Sequence, residues 1–281
     1  MEYAEYAPPP ALGRYVQCLW RIRAPAGDTA PQRILPDGSV ELVLHLGDDF
    51  RRHAPDGRIG VQPQALVVGI TDRPLIIEAT GRVDLVGVRF RPGVAGGVLG
   101  IPQAALAGSC HDLRDLGVRP LRGLLEAVGN AGSDRGRLGC MEAGLLEASR
   151  QATPPAATVH LAARWIVGHA GRAPIGGLVH QTGQSQRHLE RQFRREVGLT
   201  PKGLARIRRF QSLVARLAGV DAPRWATLAI ECGYTDQAHL TREFREFAGT
   251  TPAAYWRETH PFSDLFHGAV EFLQEGAAPA R

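Results

Sequence analysis

Leu189-Glu190-Arg191-Gln192-Phe193-Arg194 recurs as Leu240-Thr241-Arg242-Glu243-Phe244-Arg245, and the match extends beyond these six residues. Upstream, Leu178, Gly183 and Ser185 correspond to Leu228, Gly233 and Thr235; downstream, Gly198, Thr200 and Pro201 correspond to Gly249, Thr251 and Pro252. The offset is 50 at Leu178 and Gly183 but 51 at His188, Phe193 and Pro201, so the second copy carries one extra residue after Gly233. A turn tolerates such an insertion and a helix does not. Self-similarity of this kind marks a duplicated supersecondary unit.

Local signals describe the unit as helical. Val159, Ala162, Ala163, Ile166 and Val167 form one apolar stripe, opened by Thr158 as an N-cap and closed by Gly168 to Gly171. Ile175 to Thr182 reads as a second helix, Gly183 as a turn at positive φ, and Ser185 to Glu196 as a third helix. Ser185 can cap that helix, and Thr235 or Asp236 can do so in the second copy. Thr200-Pro201 and Thr251-Pro252 place a hydroxyl before a proline at the first helical position. The helix from Pro201 to about Leu217 is a strut of roughly 25 Å. Two helix-turn-helix units on such a strut could enter successive major-groove segments, about 34 Å apart, if the DNA bends or the helices tilt.

Charge points to the same partner. Residues 1–157 hold 17 Arg against 17 acidic residues, whereas residues 158–260 hold 15 Lys or Arg against 8 acids, a balance of +7. A positive excess confined to the duplicated segment attracts a polyanion. Among the 33 basic residues only Lys202 is lysine, a bias that reads as GC-rich coding before it reads as selection for guanidinium contacts.

Within each third helix the 3.6-residue period separates roles. Leu189 and Phe193, like Leu240 and Phe244, should point inward. Base readout is expected from the outward positions near the helix start: Gln186, Arg187, Glu190 and Arg191 in the first copy, and Gln237, Ala238, Thr241 and Arg242 in the second. Arg194, Arg195 and Arg245 lie further along and suit phosphate.

The N-terminal part reads as β-rich. Val40 to Leu46 alternates with period two, and Ala65 to Ile70, Leu75 to Ala79 and Val83 to Phe90 are short apolar runs between turns such as Pro36-Asp37-Gly38. A sandwich or barrel is the expectation, followed by short helices at Val94 to Leu99 and Ile101 to Leu106. From about 112 to 152 leucines recur at helical spacing, a pattern that serves core packing or a dimer seam. Thr153-Pro154-Pro155-Ala156 reads as a linker. The fold class is therefore α+β: a β-rich part at 1–110 expected to sense an effector, a helical linker at 111–155, an all-α DNA-binding part at 156–260 and a tail at 261–281. Trp20, His45, Arg89 and Phe90 are candidates for an effector pocket, although turn formation and core packing explain them equally well.

The rest of the chain narrows the function classes. No run of 18 apolar residues and no signal-peptide pattern occurs, so no membrane partner and a cytoplasmic location are expected. Cys18, Cys110, Cys140 and Cys232 are widely spaced, as free thiols would be, and no metal site or other cofactor is expected.

The signature Gly183, Ser185, Leu189, Arg191, Phe193, Gly198, Pro201, Gly233-Tyr234, Leu240, Arg242, Phe244, Gly249, Thr251-Pro252 and Tyr255 resembles that of the AraC/XylS bacterial transcription regulators. The resemblance covers about 100 residues, from Thr158 to Arg257. It implies about seven helices, two helix-turn-helix subdomains on a linking helix, and promoter or operator DNA as the partner. RNA polymerase, a small-molecule effector and a second copy of the chain are further candidate partners. Val179, Gln184 and Glu190 depart from the family pattern. Arg14 to Trp20, Leu35 to Gly38 and Gly87 to Gly93 resemble a sensor domain attached to such regulators. The reading is a non-enzymatic regulator of transcription. The alternatives are a DNA-repair or other enzyme fused to a DNA-binding domain, which would need a nucleophile or metal constellation that the sequence does not display, and an architectural DNA-coating protein.

Overall fold

A computed structural model describes residues 1–27, 30–218 and 220–258. The expected tail at 261–281 lies outside them. Ten antiparallel strands form the N-terminal part: β1 (Glu2–Tyr6), β2 (Val16–Ala24), β3 (Gln32–Ile34), β4 (Glu41–His45), β5 (Phe50–His53), β6 (Ile59–Val61), β7 (Ala65–Val68), β8 (Leu75–Ala79), β9 (Val83–Phe90) and β10 (Cys110–Asp112). They make a six-stranded sheet in the order β1-β2-β9-β4-β7-β10 and a four-stranded sheet in the order β3-β8-β5-β6.

Side-chain alternation gives the larger sheet two faces. On β9, Val86, Val88 and Phe90 face the helices, while Val83 and Leu85 face the smaller sheet. On β2, Cys18, Trp20 and Ile22 face the smaller sheet, yet Val16 joins Leu19 on the helical side. A bulge between Val16 and Cys18 resets the alternation there. Gly87 lies opposite Trp20 in the ladder, and a Cβ at that glycine would sit 2.2 Å from Trp20 Cζ2, so the indole occupies space that only glycine leaves open.

Against the helical face pack α1 (Ala95–Leu99), α2 (Gln103–Leu106), α3 (Leu124–Gly129) and α4 (Asp134–Ser149). Leu113, Leu121, Leu124, Met141 and Leu145 are buried in this core, so the leucine pattern is spent on packing. Seven helices follow among the described residues: α5 (Ala157–Gly168), α6 (Ile175–Thr182), α7 (Gln186–Val197), α8 (Pro201–Leu217), α9 (Trp225–Glu231), α10 (Gln237–Ala248) and α11 (Pro252–Arg257).

One expectation fails. Thr158 does not cap α5, whose cap is Ala156, two residues earlier, after two prolines that already set the chain direction; the Thr158 hydroxyl faces Gln184 and Gln192 instead.

Candidate nucleic-acid interface

Each half of the helical part is a helix, a turn at positive φ, and a second helix. Gly183 (φ 64°) ends α6 and Gly233 (φ 82°) follows α9. In α7 the Ser185 hydroxyl accepts from the amide of His188 at 3.3 Å, and in α10 the Asp236 carboxylate accepts from the amide of His239 at 2.7 Å. Of the two residues considered for the second cap, Asp236 takes the role. Thr200 and Thr251 cap α8 and α11 in the same manner, accepting from Gly203 and Ala254 at 2.9 and 3.1 Å.

The inward set is Leu189, Phe193 and Val197 on α7, and Leu240, Phe244 and Phe247 on α10, all buried. Phe244 meets Phe210 and Tyr255 edge-on at 5.1 and 5.4 Å. Burying the apolar face leaves the expected readout residues outward. Gln186, Arg187 and Arg191 are exposed on α7, as are Gln237, Ala238 and Arg242 on α10; Glu190 and Thr241 are half-buried. Glu190 accepts from the Gln186 amide at 2.8 Å, which ties these two residues together at the start of α7. The Thr241 hydroxyl donates to the Gln237 carbonyl at 2.8 Å, so that hydroxyl is already engaged.

Arg194, Arg195 and Arg245 are exposed further along the helices. Arg195 is paired with Glu196 at 2.6 Å. Among the described residues, no hydrogen bond or ion pair engages the side chain of Arg187, Arg194, Arg242 or Arg245. Four guanidinium groups held on two capped helices without an acidic partner suit a polyanion.

Other arginines are internally neutralised. Arg206 and Arg209 of α8 converge on the buried Glu243 of α10, at 2.7 and 2.8 Å, and Arg206 also reaches Glu246. Sequence reasoning did not single out these three. The available signal was the repeat itself, which puts Gln192 where the second copy has Glu243.

The expected effector residues divide. Trp20, His45 and Arg89 share the face between the sheets, whereas Phe90 is buried on the opposite face, against the helices. Arg89 pairs with Glu41 at 2.9 Å, Asp37 at 3.2 Å and Glu5 at 3.6 Å. Burial pushes the Glu41 carboxyl up to about 7; Arg89 opposes that shift and Asp37 adds to it. A cavity of about 40 Å³ beside this cluster is lined by Leu35, Asp37, Glu41, Arg89 and Gln211.

Burial also lowers His45, to about 4, against a smaller opposing pull from Asp49. A depressed histidine is neutral when folded, so its contribution to stability is present above its ordinary value of 6.5 and is lost as pH falls toward about 4. In a titration followed by NMR, the His45 ring is expected to stay neutral at pH 5; a midpoint near 6.5 would contradict its burial.

Two capped helix-turn-helix units on one linking helix are the arrangement that the AraC/XylS resemblance implied. Residues 178–258 match the family described as "Helix-turn-helix domain", and residues 4–112 match "Domain of unknown function (DUF6597)". The C-terminal part of the chain thus carries a helix-turn-helix domain. No curated protein matches the chain. Similar solved structures include ToxT from Vibrio cholerae, at 8% identity and TM-score 0.46 over 91% of this chain and 98% of that one. Another is ToxT from Vibrio cholerae bound to (E)-4-(8-methylnaphthalen-1-yl)but-3-enoic acid, at 10% identity and TM-score 0.46 over 84% and 96%. A third, ToxT bound to an unsaturated fatty acid, gives 8% identity and TM-score 0.43 over 84% and 93%. Among the described residues no helix is long and apolar enough to cross a membrane, and no group of three metal-ligating side chains occurs.

Proposed function

We propose that the chain is a sequence-specific regulator of transcription that reads promoter DNA with α7 and α10 of a single molecule. In this reading residues 1–110 are the sensor, 111–155 the helical connection and 156–260 the DNA-binding part. The observation that carries it is the repeated capped helix with Arg187, Arg194, Arg242 and Arg245 exposed and unneutralised among the described residues. Arg187, Arg191 and Arg242 donate to base edges, with Gln186 and Gln237 suited to adenine and Glu190 to the cytosine amino group. Arg194 and Arg245 hold phosphates.

An effector binds between the two sheets, against the face that carries Trp20, His45 and Arg89, and shifts the balance between DNA-binding and non-binding arrangements. The cavity beside Arg89, which neither Trp20 nor His45 lines, is far below the several hundred Å³ of a ligand pocket, so the sheets part when the effector enters.

Fragments selected from genomic DNA by the purified chain should bind far more tightly than random fragments, by about 10³-fold or more. Equal affinity for both would replace the regulator with a coating protein. Arg194→Ala should weaken every fragment alike and lower the slope of log affinity against log salt by about 1. An unchanged slope would remove Arg194 from the phosphate contacts.

A further inference from the structure

The two reading heads differ in what holds them. Glu243 on α10 is buried at 3% exposure and receives both oxygens' worth of hydrogen bonds from α8: Arg206 Nε donates at 2.7 Å, and Arg209 Nη2 donates at 2.8 and 2.9 Å. Arg209 also donates to the carbonyl of the turn residue Gly233 at 3.4 Å and stacks over Tyr234 at 4.6 Å, while Arg206 lies over Phe247 at 4.9 Å. Leu240, Phe244 and Phe247 share their core with Ile207, Phe210, Leu213 and Val214 of α8, and Leu35 is the one residue of the N-terminal part in that cluster. Head and strut therefore form one piece.

The first head has Gln192 at the position of Glu243, and its contact is neutral and long, to the Thr158 hydroxyl at 3.4 Å. Its apolar residues Leu178, Leu189, Phe193 and Val197 belong to the core that contains Ile70, Leu106 and the helical face of the large sheet, together with Leu204 and Ala205 from the start of α8. The C-terminal end of α7 is seated on the N-terminal part: Gln103 Nε2 donates to the Val197 carbonyl at 3.0 Å, and a Cβ at Gly198 would lie 2.9 Å from Ile70 Cγ2. In addition, the backbone amide of Ala156 donates to Glu196 at 2.7 Å.

We propose that Arg206, Arg209 and Glu243 are positioning residues that fix the second reading head to α8, whereas the first head is positioned by the N-terminal part of the chain. The sensor also touches α8 itself, through Gln211 donating to the Pro36 carbonyl and Arg208 donating to the Asp37 carbonyl at 3.3 Å. A shift of the sensor along α8 then changes the angle between the heads, while the Arg206–Glu243–Arg209 network keeps the second one on α8. That these heads read DNA rests on the function proposed above; the unequal support does not.

Hydrogen exchange of the full chain, measured without DNA, tests the proposal. Glu243→Gln should speed exchange of the α10 amides by roughly tenfold or more and leave α7 unchanged, because a charge-assisted network is lost at one head only. Gln103→Ala should do the reverse, speeding α7 and leaving α10 unchanged. If Glu243→Gln does not fold, Arg206→Gln, at a partly exposed side chain, is read in its place. Equal acceleration of both heads by either variant, or no acceleration at all, would overturn the assignment. On DNA selected by the wild-type chain, Glu243→Gln should lose protection over one half of the site and keep the other. Failure of the wild-type chain to bind DNA would remove the functional reading while leaving the exchange result intact.

Discussion

Phe244→Ala is expected to destabilise the C-terminal part by about 3–5 kcal/mol, the range for truncating a fully buried aromatic side chain. Phe244 is 0% exposed and touches rings from α8 and α11, so its removal opens a void bounded by Phe210 and Tyr255, neither of which can swing into it without abandoning its own contacts. Denaturant titration of the full chain measures the effect. The core that holds Phe244 takes Leu35 from the N-terminal part and is otherwise built from residues of α8 onward. The loss should therefore appear as an earlier transition of the segment from α8 onward. A change below about 1 kcal/mol would mean that the ring is not packed as described.

The second large effect concerns binding. Arg187→Ala and Arg242→Ala should each weaken the complex with a selected DNA fragment by about 1–3 kcal/mol, as a bidentate base contact does when its donor is removed. Because the residues sit on different heads, their effects should be close to additive, about 2–6 kcal/mol for the double variant. Each single variant should also relax sequence preference at its own half of the site, which loss of a phosphate contact would not do. Gel-shift titration at fixed salt gives the affinities. Unchanged affinity in both single variants would exclude these arginines from base contact.

The helical half was legible because its signals are local. A cap, a turn glycine and an inward pair four residues apart lie within one short window, and the repeat displays each of them twice, at Ser185 and Asp236 for the caps and at Gly183 and Gly233 for the turns. The helix read from Pro201 to about Leu217 is α8 to the residue. Strands β8 and β9 were read with the same bounds, since both are continuous apolar runs between turns.

β3, β6 and β10 are three residues long, too short for any period to register, and charged side chains interrupt β5. In β2 the bulge breaks the alternation, and Arg21 and Arg23 sit among apolar residues because Asp84 and Asp134 neutralise them from distant parts of the chain.

Long-range pairing was the main part out of reach. Leu35-Pro36-Asp37-Gly38 reads as a turn and is a bend at Gly38, with Asp37 Oδ1 accepting from the Ser39 amide, but its seat on α8 depends on Arg208 and Gln211, more than 170 residues away. The same holds for Arg206 and Arg209: the helical period places them on neighbouring positions of α8, and only the tertiary fold brings Glu243 between them. Trp20, His45 and Arg89 were grouped with Phe90 on residue type, and the strand register separates them, since odd and even positions of β9 face different cores.

The most direct test of a chain that reads DNA with two heads is hydroxyl-radical footprinting on a fragment selected by the full chain. Two protected segments about one helical turn, or roughly 34 Å, apart on the same face of the duplex are expected, with Arg187→Ala weakening one and Arg242→Ala the other. A single protected segment, or protection that both variants weaken identically throughout, would contradict it.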